Sequence, residues 1–248
     1  MIIDIHAHVW GHKVDADADN MVEACELYGI DKILISPLRG YFPNEEEIEF
    51  LSNEVYRICK KYPKNFLGYE YLNPANPNAL DVLKRGVEER GMIGMKLWVA
   101  TFCDDPRVNP LFEQCIKYDI PILLHSFVKS VGQLEFETTG PNVRNIAMRY
   151  PEAKIIMAHL GSNCYHGIKA IRDCKNVSVD MCGSIYRRDD LDYTVNMIGT
   201  DRIVFGTDMP GTFTMNYGQV LEADLTEKQR EDILYNNAVK LFNLGGKI

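Results

Sequence analysis

The chain has 248 residues, of which 46% are hydrophobic and 25% charged, a balance typical of a globular protein with a large buried core. This composition excludes a disordered tail and a fibrous protein. Acidic side chains outnumber basic ones by 35 to 27, so the formal net charge is −8. Because that sign disfavours contact with phosphate backbones and anionic lipid, we expect neither a nucleic acid nor a membrane as a partner.

Seven cysteines are spread along the chain without a C-x-x-C pair, which favours reduced thiols over disulfides or a cysteine-rich zinc site. The first residues, MIIDIHAHVW, lack the basic region of a secretory signal peptide. No apolar run approaches the length of about 18 residues that a membrane helix needs. We therefore predict a cytoplasmic protein that acts on a small molecule, and a homodimer is compatible with the sequence.

Eight short β-rich segments alternate with longer charged segments. The predicted strands cover residues 2–8, 31–36, 66–72, 92–98, 120–126, 154–159, 176–182 and 201–207. Helical periodicity follows in 44–61, with Asn44 as the predicted N-cap. The last helix is predicted in 226–243 behind Thr226. This alternation predicts a single (β/α)8 TIM barrel that spans residues 1–248 as one domain. No glycine-rich phosphate loop follows the first strand, which argues against an open nucleotide-binding sheet.

Histidines collect at the predicted carboxyl ends of the strands. The first strand ends in His6 and His8, the fifth in His125 and the sixth in His159, while the eighth leads into Asp208. In a parallel barrel these ends meet at the C-terminal face, where the functional sites of this fold lie. Neutral imidazoles and a carboxylate are suitable ligands for Zn²⁺ or a similar divalent ion. The pattern therefore predicts a metal or catalytic site at that face.

Strict alternation along the first strand predicts that His6 and His8 share the face that carries the site. It predicts that the opposite face, toward the helices, carries Ile3, Ile5 and Ala7.

By the same rule, His125 shares its face with Leu123, and His159 shares its face with Met157. The longest connection without periodicity, residues 126–141, follows the fifth strand. Aperiodic connections of that length are usually lids or binding segments, so we expect this one to contribute to the site.

Several segments, taken in order, resemble the amidohydrolase superfamily. They are IDIHAH, GMKLW, PILLHS, IIMAHLG, DRIVFGTDMP and YNNAVKLFNL. The resemblance covers the whole chain and is to the amidohydrolase-related (amidohydrolase 2) branch, which includes aminocarboxymuconate semialdehyde decarboxylase, resorcylate-type decarboxylases and pyrone dicarboxylate lactonase. It implies that one divalent ion, zinc first and manganese second, is bound by His6, His8, His125 and Asp208. It also implies that His159 moves protons or polarises the substrate.

Lys96, on the predicted fourth strand, is the ambiguous residue of the site. In binuclear relatives a lysine on this strand is carbamylated and bridges two metal ions, which requires a neutral amine. Because the binuclear state is less usual in this branch, we favour an unmodified Lys96 that shapes the site or pairs with a substrate carboxylate.

Cationic and aromatic side chains near the strand ends are candidates for substrate binding. A guanidinium at Arg39, Arg187 or Arg188 could bind a carboxylate. The indoles of Trp10 and Trp98 could pack against an aromatic or heterocyclic ring. For each of them a solvated or purely packing side chain is the alternative.

Three functions are compatible with these residues. The leading expectation is a metal-dependent hydrolase, in which metal-activated water attacks an ester, lactone or amide of a small carboxylate-bearing molecule and Asp208 or His159 takes the proton. The alternative is a metal-dependent non-oxidative decarboxylase of a small aromatic or enoic acid, in which an acid delivers a proton to carbon. The second alternative is a barrel that binds a metal ion or ligand without turnover.

Overall fold

The computed structural model describes residues 1–183, 186–208 and 210–245. It contains an eight-stranded sheet in which every neighbouring pair is parallel and the strands follow chain order. The strands are β1 Ile3–Trp10, β2 Lys32–Leu38, β3 Phe66–Leu72, β4 Gly94–Leu97, β5 Ile122–Leu124, β6 Ile155–Met157, β7 Val177–Asp180 and β8 Ile203–Val204.

Helices connect the strands on the outside of the sheet. They are α1 Val14–Tyr28, α2 Glu45–Lys61, α3 Ala79–Glu88, α4 Asn109–Tyr118, α5 Gly140–Arg149, α6 Cys164–Ile171, α7 Asp190–Ile198, α8 Phe213–Glu222, α9 Glu227–Glu231 and α10 Asn237–Leu241, with a π-helical turn at Asp232–Asn236. The predicted N-caps are confirmed, because Asn44 forms a capping box with Glu47 and Thr226 forms one with Gln229. Within the described part of the chain, no helix combines the length and the apolar character that crossing a bilayer requires.

The first strand and the segment after the last strand close the sheet on itself. The Ile5 N–H donates to the Phe205 carbonyl at 2.9 Å. The Thr207 hydroxyl donates to the buried Asp4 carboxyl at 2.5 Å. Eight parallel strands closed in this way, with helices outside, confirm the predicted (β/α)8 barrel.

Two apolar layers lie on either side of the barrel wall. The inner layer includes Ile3, Ile5, Leu34, Tyr69, Leu123, Ile156 and Val204. The outer layer, between the sheet and the helices, includes Ile33, Ile35, Ile122, Leu124, Ile155 and Met157. Neighbouring residues of one strand thus alternate between the layers, as a pleated strand requires.

Strand β1 departs from this alternation. Ile3 and Ile5 belong to the inner layer, whereas Ala7 belongs to the outer one. The pairing of β1 with β2 shifts register between Asp4 and Ala7, as in a β-bulge. The prediction that Ile3 and Ile5 face the helices is therefore wrong, because the irregularity changes the side on which the residues before His6 lie.

The backbone conformation that places His159 in the site is also one that strand alternation does not predict. Strand β6 ends at Met157, and His159 and Leu160 have φ values of 62° and 50°, in the left-handed region that non-glycine residues rarely adopt. Met157 packs in the outer layer, so the prediction that His159 shares its face is wrong. The left-handed backbone turns the imidazole toward the barrel interior instead.

Candidate active site

Three predicted residues meet where the barrel closes. His6 and His8 lie on β1, and Asp208 follows β8 with a φ of 66°. The two Nε2 atoms are 3.0 Å apart, and Asp208 Oδ1 lies 3.2 Å from His8 Nε2 and 3.5 Å from His6 Nε2. These three side chains bring ligand atoms within 4.8 Å of one another, and we call them the metal-type group.

Each β1 imidazole has an oxygen acceptor behind it. His6 Nδ1 lies 2.8 Å from Asp180 Oδ2, and His8 Nδ1 lies 3.2 Å from the Ser36 carbonyl oxygen. Because a carboxylate only accepts, His6 Nδ1 donates to Asp180 and His6 Nε2 carries a lone pair, while His8 Nδ1 also lies 2.9 Å from the Ser36 hydroxyl, which can donate to it. Two imidazole nitrogens that face each other next to a carboxylate form a donor set that fits a divalent cation.

Burial favours the protonation states that a metal ion needs. Desolvation lowers the pKa of His6 to about 3, and the charge of Lys96 acts in the same direction. Desolvation also lowers the pKa of His8. For Asp208 burial opposes ionisation, but the charge of His159 and the hydrogen bond from His8 hold the pKa of the carboxyl well below its usual range. The site thus offers neutral imidazoles and an anionic oxygen.

Lys96 projects from β4 into this group. Its side chain is fully buried, and Nζ lies 2.8 Å from His6 Nε2. Burial lowers the pKa of Lys96 to about 8, although the nearby carboxylates of Asp208 and Asp180 favour the charged form. The predicted position of Lys96 in the site is therefore observed, whereas its modification state stays a prediction.

His125 and His159 form a second pair beside the metal-type group. His125 Nδ1 lies 3.1 Å from His159 Nε2, and the rings of His159 and His6 have centroids 5.2 Å apart. The other nitrogen of His125, Nε2, lies 3.0 Å from Glu137 Oε1. Neither nitrogen of His125 belongs to the metal-type group, so its role as a ligand of the same ion stays a prediction.

Asp180, at the end of β7, connects the two pairs, and the sequence analysis missed it. Its Oδ2 accepts from His6 Nδ1, and its Oδ1 accepts from the His159 backbone N–H at 2.8 Å. Burial raises the pKa of the Asp180 carboxyl, but the charge and hydrogen bond of His6 outweigh burial and hold the pKa well below its usual range. The missed signal was a carboxylate at the end of the seventh predicted strand, in the same layer as the histidines.

Cys182 fills the space behind these rings. Its Sγ lies 2.9 Å from Asp180 Oδ1, 3.1 Å from His6 Nδ1 and 3.3 Å from His159 Nδ1. Burial raises the pKa of the thiol well above its ordinary value, so Cys182 stays protonated and donates to Asp180. Cys182, Asp180, His6 and His159 bring ligand-type atoms within 4.8 Å of one another. Hydrogen bonds already pair these atoms with each other.

Glu137 is a second residue that the sequence analysis did not identify. It lies in the predicted 126–141 segment and is buried. Besides His125, it accepts hydrogen bonds from Lys129 Nζ at 2.7 Å and from the Leu134 backbone N–H at 3.2 Å. Burial opposes ionisation, but these donors, His125 first, lower the pKa of Glu137 to about 2. An acid in an aperiodic segment leaves no periodic signal in the sequence.

The three arginines predicted to bind a substrate carboxylate are exposed. Arg39 is exposed, and its guanidinium carbon lies 5.9 Å from the centre of the Phe50 ring. Arg187 is exposed, and the side chain of Arg188 is 94% exposed. In the described ranges, no hydrogen bond connects any of these guanidinium groups to the histidines. Their roles in substrate binding stay predictions.

Aromatic side chains line the same end of the barrel. Trp98 is half-buried, with its ring centroid 5.1 Å from that of Tyr41. Phe42 and Phe136 meet edge to face at 6.2 Å. Trp10 is half-buried against the outer apolar layer. Contact of Trp10 and Trp98 with substrate stays a prediction.

Comparison with known proteins identifies the family. The model of the family described as amidohydrolase (Amidohydro_2) matches residues 3–244. The 2-amino-3-carboxymuconate-6-semialdehyde decarboxylase of Dictyostelium discoideum is 22% identical over 251 positions, which cover 83% of this chain and 70% of that protein.

Two solved decarboxylases share the fold. The 2,6-dihydroxybenzoate decarboxylase from Rhizobium is 18% identical, with a TM-score of 0.75 over 99% of both chains. The dihydroxybenzoic acid decarboxylase from Polaromonas sp. JS666, solved with bound manganese and the inhibitor 2-nitroresorcinol, is 19% identical, with a TM-score of 0.78 over 98% of this chain and 97% of that one. At such identities the likeness shows the fold alone.

These relatives overturn the leading functional expectation. The prediction of a hydrolase is wrong, because the curated relative and both named neighbours are decarboxylases and favour the alternative. The residues themselves did not discriminate, since one set of imidazole and carboxylate donors supports either reaction and the substrate decides which bond breaks. The sequence-based prediction is confirmed at a coarser level: the protein is an enzyme of the amidohydrolase superfamily and has a candidate His/Asp metal site.

Proposed function

The chain belongs to the amidohydrolase family, and from that premise we propose that it is a metal-dependent non-oxidative decarboxylase of a small aromatic or enoic carboxylic acid. The observation that carries the proposal is the metal-type group, in which the Nε2 atoms of His6 and His8 face each other at 3.0 Å beside the Asp208 carboxylate. The decarboxylases among its relatives support the choice of reaction.

His6, His8 and Asp208 would hold the ion, with His125 as the remaining proposed ligand. Zinc and manganese both accept nitrogen and oxygen ligands, and the manganese in the Polaromonas neighbour makes it a candidate beside zinc. When bound, such an ion holds the oxygen atoms of a substrate and withdraws electron density from them. We propose an unmodified amine at Lys96, because its Nζ lies within hydrogen-bonding distance of His6 Nε2.

Decarboxylation breaks the bond between a carbon atom and its carboxylate. The electron pair stays on that carbon, carbon dioxide leaves, and one proton must be added to the same carbon. We assign the delivery of this proton to His159. Its Nε2 lies 3.1 Å from His125 Nδ1 and its Nδ1 lies 3.3 Å from the Cys182 carbonyl oxygen, so both nitrogens of a protonated ring have a hydrogen-bond acceptor, which supports the protonated form that a proton donor needs.

The backbone of His159 is also anchored. Its N–H donates to Asp180 Oδ1, which holds the left-handed turn that brings the imidazole inward. Asp180 thereby orients the proposed proton donor and, through His6, the metal-type group. The Asp180 carboxylate thus supports both the proposed proton transfer and the proposed metal binding.

Isotope labelling tests the reaction. Metal-loaded protein is incubated in D₂O with 2,6-dihydroxybenzoate and with 2-amino-3-carboxymuconate-6-semialdehyde, the compounds named for its relatives. We expect release of carbon dioxide and one deuterium on the carbon that lost it. Label from H₂¹⁸O in a product carboxylate without carbon dioxide would contradict the proposal, as would tight binding of these acids without turnover.

The metal is tested with Asp208→Ala. This substitution removes the carboxylate of the metal-type group, so we expect the variant to lose most of its bound metal and nearly all of its activity together. Elemental analysis of protein purified without chelator measures the metal content. Asp173→Ala changes an exposed acid before β7 and should retain both properties. Full activity in metal-free Asp208→Ala would refute the role of the ion.

A further inference from the structure

Glu137 lies directly behind His125 on the connection between β5 and α5. It is 2% exposed, and none of the steps described above uses it. Its Oε1 lies 3.0 Å from His125 Nε2, while the other nitrogen of the same ring, Nδ1, lies 3.1 Å from His159 Nε2. His125 is therefore held between a carboxylate on one side and the proposed proton donor on the other.

The partners of Glu137 determine which nitrogen of His125 carries the proton. The carboxylate accepts from Lys129 Nζ at 2.7 Å, from Gln133 Nε2 at 2.9 Å and from the Leu134 N–H at 3.2 Å. Surrounded by donors, it is an acceptor toward His125 as well, so His125 Nε2 must donate. In a neutral imidazole the other nitrogen then has the lone pair.

We propose that Glu137 is a positioning residue that fixes the tautomer of His125, so that His125 binds its partner through the lone pair of Nδ1. The partner of that lone pair is either the proton of His159 Nε2 or a metal ion. The inference deepens the proposed function, and its catalytic consequence rests on that function. The tautomer itself does not depend on any reaction.

The consequence for His159 follows from the geometry. When His125 Nδ1 is unprotonated, it accepts a hydrogen bond from His159 Nε2 and aligns that ring. Without Glu137, His125 is free to carry its proton on Nδ1, and when His159 is protonated as the proposed proton donor, two N–H groups would then face each other at 3.1 Å. His159 would have to turn away, because such a contact is repulsive.

Glu137 also links the tautomer of His125 to the conformation of the β5–α5 connection. The carboxylate contacts Lys129, Gln133 and Leu134 of that segment, and the Phe127 N–H donates to the Thr138 carbonyl at 2.8 Å. The segment is thus folded around the same carboxylate that orients His125. An ordered segment and a correctly oriented His125 should therefore occur together.

Nitrogen NMR of histidine-labelled protein tests the tautomer directly, in the metal-free and the zinc-loaded wild type. We expect His125 to carry its proton on Nε2 in both forms. A protonated Nδ1 in the wild type, or a zinc ion bound through Nε2, would overturn the inference even if decarboxylation is found. The expected tautomer would stand even if no decarboxylation is found, so the two proposals fail independently.

Variants separate positioning from simple loop stability. Glu137→Gln keeps an oxygen acceptor for His125, so we expect the Nε2–H tautomer and most of the activity to remain. Glu137→Ala removes the acceptor, so the tautomer preference should be lost and kcat should fall roughly 10–100-fold. The exposed neighbour Glu135 provides the control, Glu135→Ala, with wild-type spectra and rates. An unchanged His125 tautomer in folded Glu137→Ala, or a changed one in folded Glu137→Gln, would contradict the assignment.

Discussion

Two carboxyl groups of this barrel are equally buried and behave in opposite ways. Asp180 on β7 and Glu70 on β3 both have no exposed surface. Asp180 accepts hydrogen bonds from an imidazole, a backbone N–H and a thiol. Glu70 accepts one from the Ser52 hydroxyl, its Oε2 lies 3.8 Å from Arg90 Nη1, and that oxygen has no hydrogen-bond partner.

The comparison shows that donors, not burial, decide the charge of a buried acid. Burial opposes ionisation of both groups. At Asp180 the interactions with His6 outweigh burial and keep the pKa low, whereas at Glu70 burial outweighs Ser52 and Arg90 and raises the pKa to about 7. Asp180 is therefore a fixed anion that can orient rings, while Glu70 changes its charge near neutral pH.

Among the residues around Asp180 and Glu70, the largest effect on activity is expected at His159, the ring that Asp180 anchors. His159→Asn removes the proposed proton donor but leaves the metal-type group intact, so activity should fall roughly 10²–10⁴-fold while metal content stays near that of the wild type. Steady-state rates and elemental analysis on the same preparation measure both. The exposed His166 offers a matched control, His166→Asn. Loss of metal along with activity would show that His159 is a ligand.

A smaller effect is expected at Asp180 itself. In Asp180→Asn an amide replaces the anion that accepts from His6 Nδ1, so His6 is held less firmly in the tautomer that offers Nε2. Metal affinity should fall roughly 10–100-fold, the usual effect of changing a residue behind a ligand. Titration with zinc or manganese measures the dissociation constant, with Asp173→Asn as the exposed control. Unchanged affinity would mean that burial alone orients His6.

The smallest effect is expected at Glu70, and on stability only. Its pKa is 4.5 in the unfolded chain and about 7 in the folded one. Between these two pH values the folded state keeps the Glu70 proton while the unfolded chain loses it. The wild type therefore loses stability as the pH rises from about 4.5 through 7. Glu70→Gln removes this slope. From pH 5 to pH 8 the unfolding free energy of the wild type should fall by up to about 3 kcal/mol relative to the variant. Urea unfolding measures both curves, with Glu46→Gln on exposed α2 as control. Parallel curves would contradict the assigned pKa.

The general architecture was predictable because its signals are local. Each strand is a short apolar run, and the N-caps at Asn44 and Thr226 are side-chain contacts across three residues. Strand order follows from the chain order of a βα repeat. The histidines at the strand ends could be found for the same reason, since each ends a recognisable apolar segment. The one-domain organisation of the whole chain stays a prediction.

Backbone irregularities were not predictable from pattern. The register shift in β1 moves Ile5 to the inner layer, and the left-handed backbone at His159 brings in a ring that alternation would place outside. Both depart from the period of two on which a strand pattern depends. The left-handed turn is stabilised by Asp180, a contact across 21 positions that no local rule contains.

The type of reaction was the property that the sequence alone predicted least well. Glu137 and Asp180 act through other side chains, so their importance is visible only when His125 and His6 are placed against them. Hydrolysis and decarboxylation use the same donors, and the segment that would contact the substrate is aperiodic. Substrate identity is encoded in the shapes of such connections, which follow tertiary packing rather than a repeating pattern.

The closure of the barrel imposes an order on its assembly in the cell. Asp4 and Thr207, which join the first strand to the segment after the last, are 203 positions apart. When β1 leaves the ribosome, His6 and His8 have neither Asp208 nor Asp180 to meet, and these arrive only with the last third of the chain. Contacts between such distant positions form late because the intervening loop must first be closed. A nascent chain therefore cannot build the metal-type group until β8 has been synthesised, and metal capture would follow folding of the barrel rather than guide it.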